Sequence, residues 1–178
     1  MELKLHKYLI IHHTATARDK TTFEAVRNYH IRKGWGDIAY HYFISGDGRL
    51  YRGREENVVG AHCRANGMNF KSLGICLTGN FEQEHPSEAQ LKTLEELIEK
   101  LRAKYNIPID NVLGHKEVPG ARTVCPGRNF LEWLIAYRER KKKEKIEDEK
   151  FFLSRIITLL EELIKYLKMK YGEEKERV

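Results

Sequence analysis

The chain has 178 residues, 41% hydrophobic and 10% aromatic, with a formal net charge of +6. That supplies a core for one ordinary domain plus an appendage and excludes a disordered polyelectrolyte; no run reaches the roughly 18 apolar residues of a membrane span. Three cysteines are too few for a disulfide framework, and a modest basicity made of alternating signs gives no specific reason to expect a nucleic-acid partner.

In chain order, Tyr8–Ile11 reads as a buried strand that ends at His12. It is too short for a signal-peptide core and no small-residue cleavage site follows, so cytoplasmic synthesis without a signal peptide is expected. "TTFEAVRNYHIRKG" reads as a helix capped by Thr21 or Thr22, with Phe23, Val26 and His30 on one face and Gly34 ending it. "YHYFIS-GDG-RLYRGR" predicts a hairpin turning at Gly46-Asp47-Gly48, and "LGICLTG" a second buried strand in which Cys76 is a core residue. "PSEAQLKTLEELIEKLRAKYN" opens with a capping box, Ser87 to Gln90, and carries the apolar stripe Leu91, Leu94, Leu97, Ile98, Leu101. "NVLGH" delivers His115 from a short strand, and "NFLEWLIAYRER" begins a third helix. Strands interleaved with helices predict an α/β fold around a mixed central sheet.

The composition changes near residue 138. We read 1–137 as the functional domain and 138–178 as a charged linker, "RERKKKEKIEDEK", followed by an amphipathic helix. Leu153, Ile156, Leu160, Leu163 and Leu167 recur at spacings of three and four, and Ile157, Ile164 and Tyr171 widen the stripe. Residues 138–178 hold 13 basic and 10 acidic side chains, too balanced for a cationic membrane-disrupting helix. Homo-oligomerisation through this helix, or its folding back on the domain, is expected ahead of binding to wall or membrane. Abundant Glu and Lys, with Gln only at 83 and 90, hint at a thermophilic source.

Eight histidines punctuate the chain. His12, His41, His62 and His115 close or follow strands and loops, where a sheet presents reactive groups. His13 and His41, each next to a candidate, point to the opposite face of their strands and read as packing or orienting residues. His6, His30 and His85 read as surface or helix residues, Trp35 as packing, Cys63 as a free thiol, and Arg52 and Arg54 as solvated strand charges. Together with Cys125, flanked by Pro126 and Gly127, the strand-end histidines suggest an open three-ligand metal site; satisfied core histidines are the alternative.

Five stretches carry a resemblance: "IIHHTAT", "GWGDIAYHYFISGDGRLYRGR", "NVVGAHC", "SLGICLTGNF" and "GHKEVPGARTVCPG". In this order and spacing, over residues 7–137, the chain resembles the zinc-dependent type-2 N-acetylmuramoyl-L-alanine amidases, which include phage endolysins, and the related peptidoglycan recognition proteins. The resemblance implies one zinc ion per chain on His12, His115 and Cys125, with Cys125 a reduced thiolate. It implies Tyr40 as the active-site tyrosine beside the metal and His62 as a substrate contact in the cleft. Thr123 stands where some phage and recycling amidases carry Lys and catalytic recognition proteins carry Thr, which implies a second, weaker hydrogen-bond donor. The implied substrate is bacterial peptidoglycan, cut between N-acetylmuramic acid and L-alanine by a bacteriolytic endolysin released to the wall by another factor. Non-catalytic muropeptide recognition and cytoplasmic muropeptide recycling are the alternatives. Recognition proteins that only bind tend to lack the Cys ligand, and recycling amidases tend to carry Asp there.

Overall fold

Five strands, β1 (Tyr8–His13), β2 (Tyr42–Ile44), β3 (Leu50–Arg52), β4 (Ser72–Leu77) and β5 (Val112–Gly114), form one sheet in the order β3-β2-β4-β1-β5. The β2–β3 hairpin is antiparallel, and β1 is parallel to both β4 and β5, so the sheet is mixed as expected. This computed structural model describes residues 6–171. The outermost parts of the two expected segments, 1–5 and 172–178, lie outside them. Two units are distinguished, Met1–Arg138 and Glu139–Val178.

Period-two alternation assigns the two faces of the sheet. Leu9 and Ile11 of β1, Leu73, Ile75 and Leu77 of β4, and Tyr42 and Ile44 of β2 face the main core. There they meet Leu94, Leu97, Ile98 and Leu101 of α2 (Glu88–Tyr105) and Phe130, Leu134 and Tyr137 at the start of α3 (Arg128–Tyr171). Each such side chain, fully withdrawn from water, contributes about 1.5–3 kcal/mol. The opposite face carries Ile10 with Cys63, Met68 and Val118, and Phe43 and Cys76 with Ile38. Phe23 and Val26 of α1 (Phe23–Arg32) pack over the second of these groups. His12 lies on this side, in register with Cys76, which is in register with Phe43. The helix packing of one face therefore anchors the strands whose other face carries the candidate site.

Local chemistry explains where the helices begin. Thr22 caps α1 by accepting from the Ala25 N–H. Ser87 and Gln90 form the expected capping box, and the buried Gln90 amide also donates to the Thr78 carbonyl at 2.8 Å, tying the start of α2 to the end of β4.

The charged run after Arg138, read as a linker, is helical and lies within α3. Its charges sit three or four apart and pair along the helix: Lys142 with Glu139, Lys141 with Glu144, Lys150 with Glu147, and Lys145 with Glu149. Such pairs favour helix over coil by a few tenths of a kcal/mol each. In the second unit Leu153, Ile156, Leu160, Leu163 and Leu167 are between 37% and 57% exposed.

Candidate metal centre

Three segments distant in sequence bring one donor each to a single point. His12 is the fifth residue of β1, His115 opens the 3-10 turn that follows β5, and Cys125 lies on the loop leading into α3. Ligand atoms of the three lie within 4.8 Å of one another, a group that could hold a metal ion. The Cys125 Sγ is 3.6 Å from His12 Nδ1 and accepts the His13 backbone N–H at 3.5 Å. His12 and His115 sit at the carboxyl ends of adjacent parallel strands, where α/β sheets place ligands. Burial holds both imidazoles below their ordinary range, His12 well below it with help from His62, His115 and His13. Both rings are thus neutral and able to offer a lone pair. Burial likewise pushes the Cys125 thiol up to about 12, opposed by the His13 N–H.

The loop that presents Cys125 is stitched to the turn that presents His115. Lys116 N–H donates to the Cys125 carbonyl at 2.7 Å, Cys125 N–H to Thr123 Oγ1 at 3.1 Å, and Gly127 N–H to the Val124 carbonyl at 2.8 Å. Gly127 has φ +93°, and a Cβ there would lie 2.4 Å from the Phe81 backbone, so position 127 requires glycine twice over. Beneath His115, Glu117 accepts the Gly114 N–H and a two-pronged contact from Arg138, which also donates to the Val112 carbonyl at 2.8 Å. The Arg138 and Glu117 side chains are 12% and 23% exposed, so removing one partner leaves the other poorly solvated. Arg138→Ala is expected to cost about 2–3 kcal/mol, lowering the melting temperature by roughly 5–10 °C; Arg138→Lys should recover part of it. A thermal melt of the three proteins checks this.

Tyr40 is half-buried, with its ring 5.2 Å from that of His12. Burial, reinforced by Cys76 and Cys125, raises its phenol well above the ordinary value, so the hydroxyl stays a donor. The other side of the Tyr40 ring meets the edge of His30 at 5.6 Å, and His30 in turn stacks on Trp35. His30 lies on α1, as expected of a helix residue, and is only 6% exposed, with the Ala39 N–H donating to its Nδ1 at 3.1 Å. Arg54, expected to be a solvated charge, instead donates to the carbonyls of Ile38, Val59 and Trp35 and pins the segment that carries Tyr40. Neither role is carried by a local pattern.

His13 points away from the cluster, accepting the Phe81 N–H. Thr123 is two residues from Cys125, with its hydroxyl oxygen occupied by the Cys125 N–H. His62 is 8% exposed, and its Nδ1 lies 3.0 Å from His12 Nε2. His41 is also buried, its Nδ1 accepting the Gly74 N–H and its Nε2 meeting the Val58 carbonyl at 2.9 Å.

Burial lowers His41 to about 4, with Arg54 and His6 adding to the shift and the Val58 carbonyl and Glu56 opposing it. A histidine depressed in the fold contributes nothing adverse above its unfolded value near 6.5. Below that pH the unfolded chain takes up the proton first, and stability falls until the folded value is reached. Metal-free protein is therefore expected to lose about 3 kcal/mol through His41 between pH 6.5 and pH 4. Urea unfolding across that range would measure the loss, and His41→Gln should flatten it.

Residues 3–128 match the family of N-acetylmuramoyl-L-alanine amidases. The endolysin of Escherichia phage T7 is 32% identical over 131 residues, which span 70% of this chain and 83% of that one. The N-acetylmuramoyl-L-alanine amidase LysC from Clostridium intestinale shares the fold with a TM-score of 0.66 at 38% identity, over 74% of this chain and 84% of LysC. A mutant of Drosophila PGRP-LB in complex with tracheal cytotoxin does so with a TM-score of 0.64 at 34% identity, over 73% of this chain and 80% of that one. On a match that takes in most of the first unit, sheet and helices together, the chain belongs to the N-acetylmuramoyl-L-alanine amidase family, alongside phage endolysins and peptidoglycan recognition proteins.

Proposed function

We propose that this protein is a zinc-dependent amidase that hydrolyses the bond between N-acetylmuramic acid and L-alanine in bacterial peptidoglycan, acting as a lytic endolysin. The observation that carries this reading is the meeting of His12, His115 and Cys125 within 4.8 Å. Two imidazoles and a thiol are donors of the kind zinc favours, and three protein ligands leave a place open, as catalytic zinc requires. Among the described residues no fourth Cys, His or carboxylate joins the group, which fits an open site better than a closed structural one.

When bound there, zinc supplies a Lewis acid that polarises an amide carbonyl and makes water a competent nucleophile near neutral pH. The chain's own residues do the rest. Neutral His12 and His115 and the Cys125 sulfur would hold the ion. The Tyr40 hydroxyl, kept protonated by burial, donates to the oxygen on which negative charge develops. Thr123 offers a second hydroxyl: its oxygen is engaged by the Cys125 N–H, but its hydrogen remains free to donate.

The test is purified protein on isolated sacculi, with zinc measured on the same sample. Release of new L-alanine amino termini with about one zinc per chain is the expected result. Zinc without release, from several wall types and from tracheal cytotoxin as a soluble muropeptide, would favour a recognition protein that binds without cutting. No zinc would overturn the centre as drawn.

We further propose that the apolar side of the second unit is covered by a second copy of this chain. Its Leu and Ile seam is exposed, and two heptads are too short to be stable uncovered. Acids are interspersed with the bases, which disfavours an anionic lipid surface. Sedimentation should show a concentration-dependent oligomer that Leu153→Lys with Leu160→Lys returns to monomer; a monomer throughout would overturn this.

A further inference from the structure

His62 lies fifty residues from His12 in sequence, yet the two rings meet edge to face, 81° between planes, with the 3.0 Å contact running from His12 Nε2 to His62 Nδ1. Its place is built from four directions. Asn69 Oδ1 accepts the backbone N–H groups of both His62 and Cys63, at 2.8 and 2.7 Å, which fixes the loop. Gly60 and Gly74 leave a slot for the ring: a Cβ at position 60 would lie 2.4 Å from its Cδ2, and one at position 74 would lie 2.5 Å from its Cγ. The His41 ring closes the slot with its edge, centroids 5.7 Å apart.

Neither nitrogen of His62 is open to a substrate in this arrangement. Nδ1 is taken up by His12, and Nε2 is buried without a hydrogen-bond partner of good geometry among the described residues. The polarity of the Nδ1 contact follows from what His12 must do. Its Nδ1 faces the Cys125 sulfur at 3.6 Å, so that nitrogen must keep its lone pair to serve as a ligand. The ring proton then belongs on Nε2, which donates it, and His62 Nδ1 accepts.

We propose that His62 is a positioning residue of the metal centre, holding His12 in the tautomer and orientation that aim Nδ1 at the metal. The inference rests on the zinc reading above. It differs from a substrate contact, the role that the resemblance implies for this position, because it acts through His12. Partners of this kind typically change metal affinity or activity by 10–100-fold.

Three variants separate the possibilities. His62→Leu fills the slot without an acceptor, His62→Asn keeps an acceptor near the place of Nδ1, and Gly74→Ala pushes the ring aside while leaving the histidine in place. The main readout is zinc affinity by chelator competition on the full chain. The second is the visible absorption of the cobalt-loaded protein, which reports the geometry of a cysteine-ligated centre. Steady-state kinetics on tracheal cytotoxin and a thermal melt of the metal-free proteins accompany them.

His62→Leu and Gly74→Ala are expected to weaken zinc binding by about 10–100-fold and to alter the cobalt spectrum, with KM changed no more than about twofold. His62→Asn should recover most of the affinity. Unchanged zinc affinity with a raised KM would overturn the proposal in favour of direct substrate contact. Equal losses in Leu and Asn variants, tracking a lowered melting temperature, would reduce His62 to packing. Wild-type protein that binds no zinc would overturn the metal reading itself, and that outcome is distinguishable from the other two.

Discussion

Replacing Cys125 by alanine should strip the metal centre and bring amidase activity down to background. The sulfur is the one donor not supplied by a strand or the turn directly after it, and its removal leaves two imidazoles facing an open loop. Four-ligand zinc sites bind with about 10–16 kcal/mol, so losing one donor of three is expected to weaken binding by at least about 10²–10³-fold. Zinc content after dialysis against a weak chelator should fall from about one per chain to near zero. The fold should survive, since the loop is held by the backbone N–H and carbonyl of residue 125, to Thr123 Oγ1 and Lys116 N–H, and by Gly127 N–H to the Val124 carbonyl, all of which alanine retains. Cys125→Asp gives the sharper comparison. A carboxylate also ligates zinc, so this variant should regain part of the metal and part of the activity that alanine loses. Full zinc and full activity in the alanine protein would remove Cys125 from the centre.

Tyr40→Phe is the second large effect, and it should separate chemistry from metal binding. The substitution deletes one oxygen and leaves the ring between His12 and His30. Zinc content and melting temperature should therefore stay near those of the wild type. A donor aimed at developing oxyanion charge is typically worth 10²–10³ in rate, and kcat should fall by about that factor. KM should move little, because the contact strengthens only as charge develops. An unchanged kcat would mean that the hydroxyl does not reach the reacting oxygen.

Much of the framework was legible locally. The capping box at Ser87 and Gln90, the glycine-bounded hairpin and the apolar run of the first strand ending at His12 each express a motif within a few residues. The helical nature of the charged run after Arg138 was legible too, in Lys and Glu three and four apart, though its composition suggested a linker. His12, His115 and Cys125 were suggested by their residue types and selected by resemblance to a family.

The sequence by itself determined the order of strands and helices along the chain, the buried character of the first strand and of the one containing Cys76, and a short set of donors at strand ends and in one loop. Tertiary structure decided which of those donors meet: Cys125 reaches His12 across 113 positions of chain. It also decided that Arg54 locks backbone carbonyls, that His30 is buried behind Tyr40, and that His62 faces a ligand from a slot between two glycines. The reason is physical. Helix and strand periods constrain neighbours a few residues apart, whereas a hydrogen-bond partner fifty residues away is chosen only when strands pair and loops close over them.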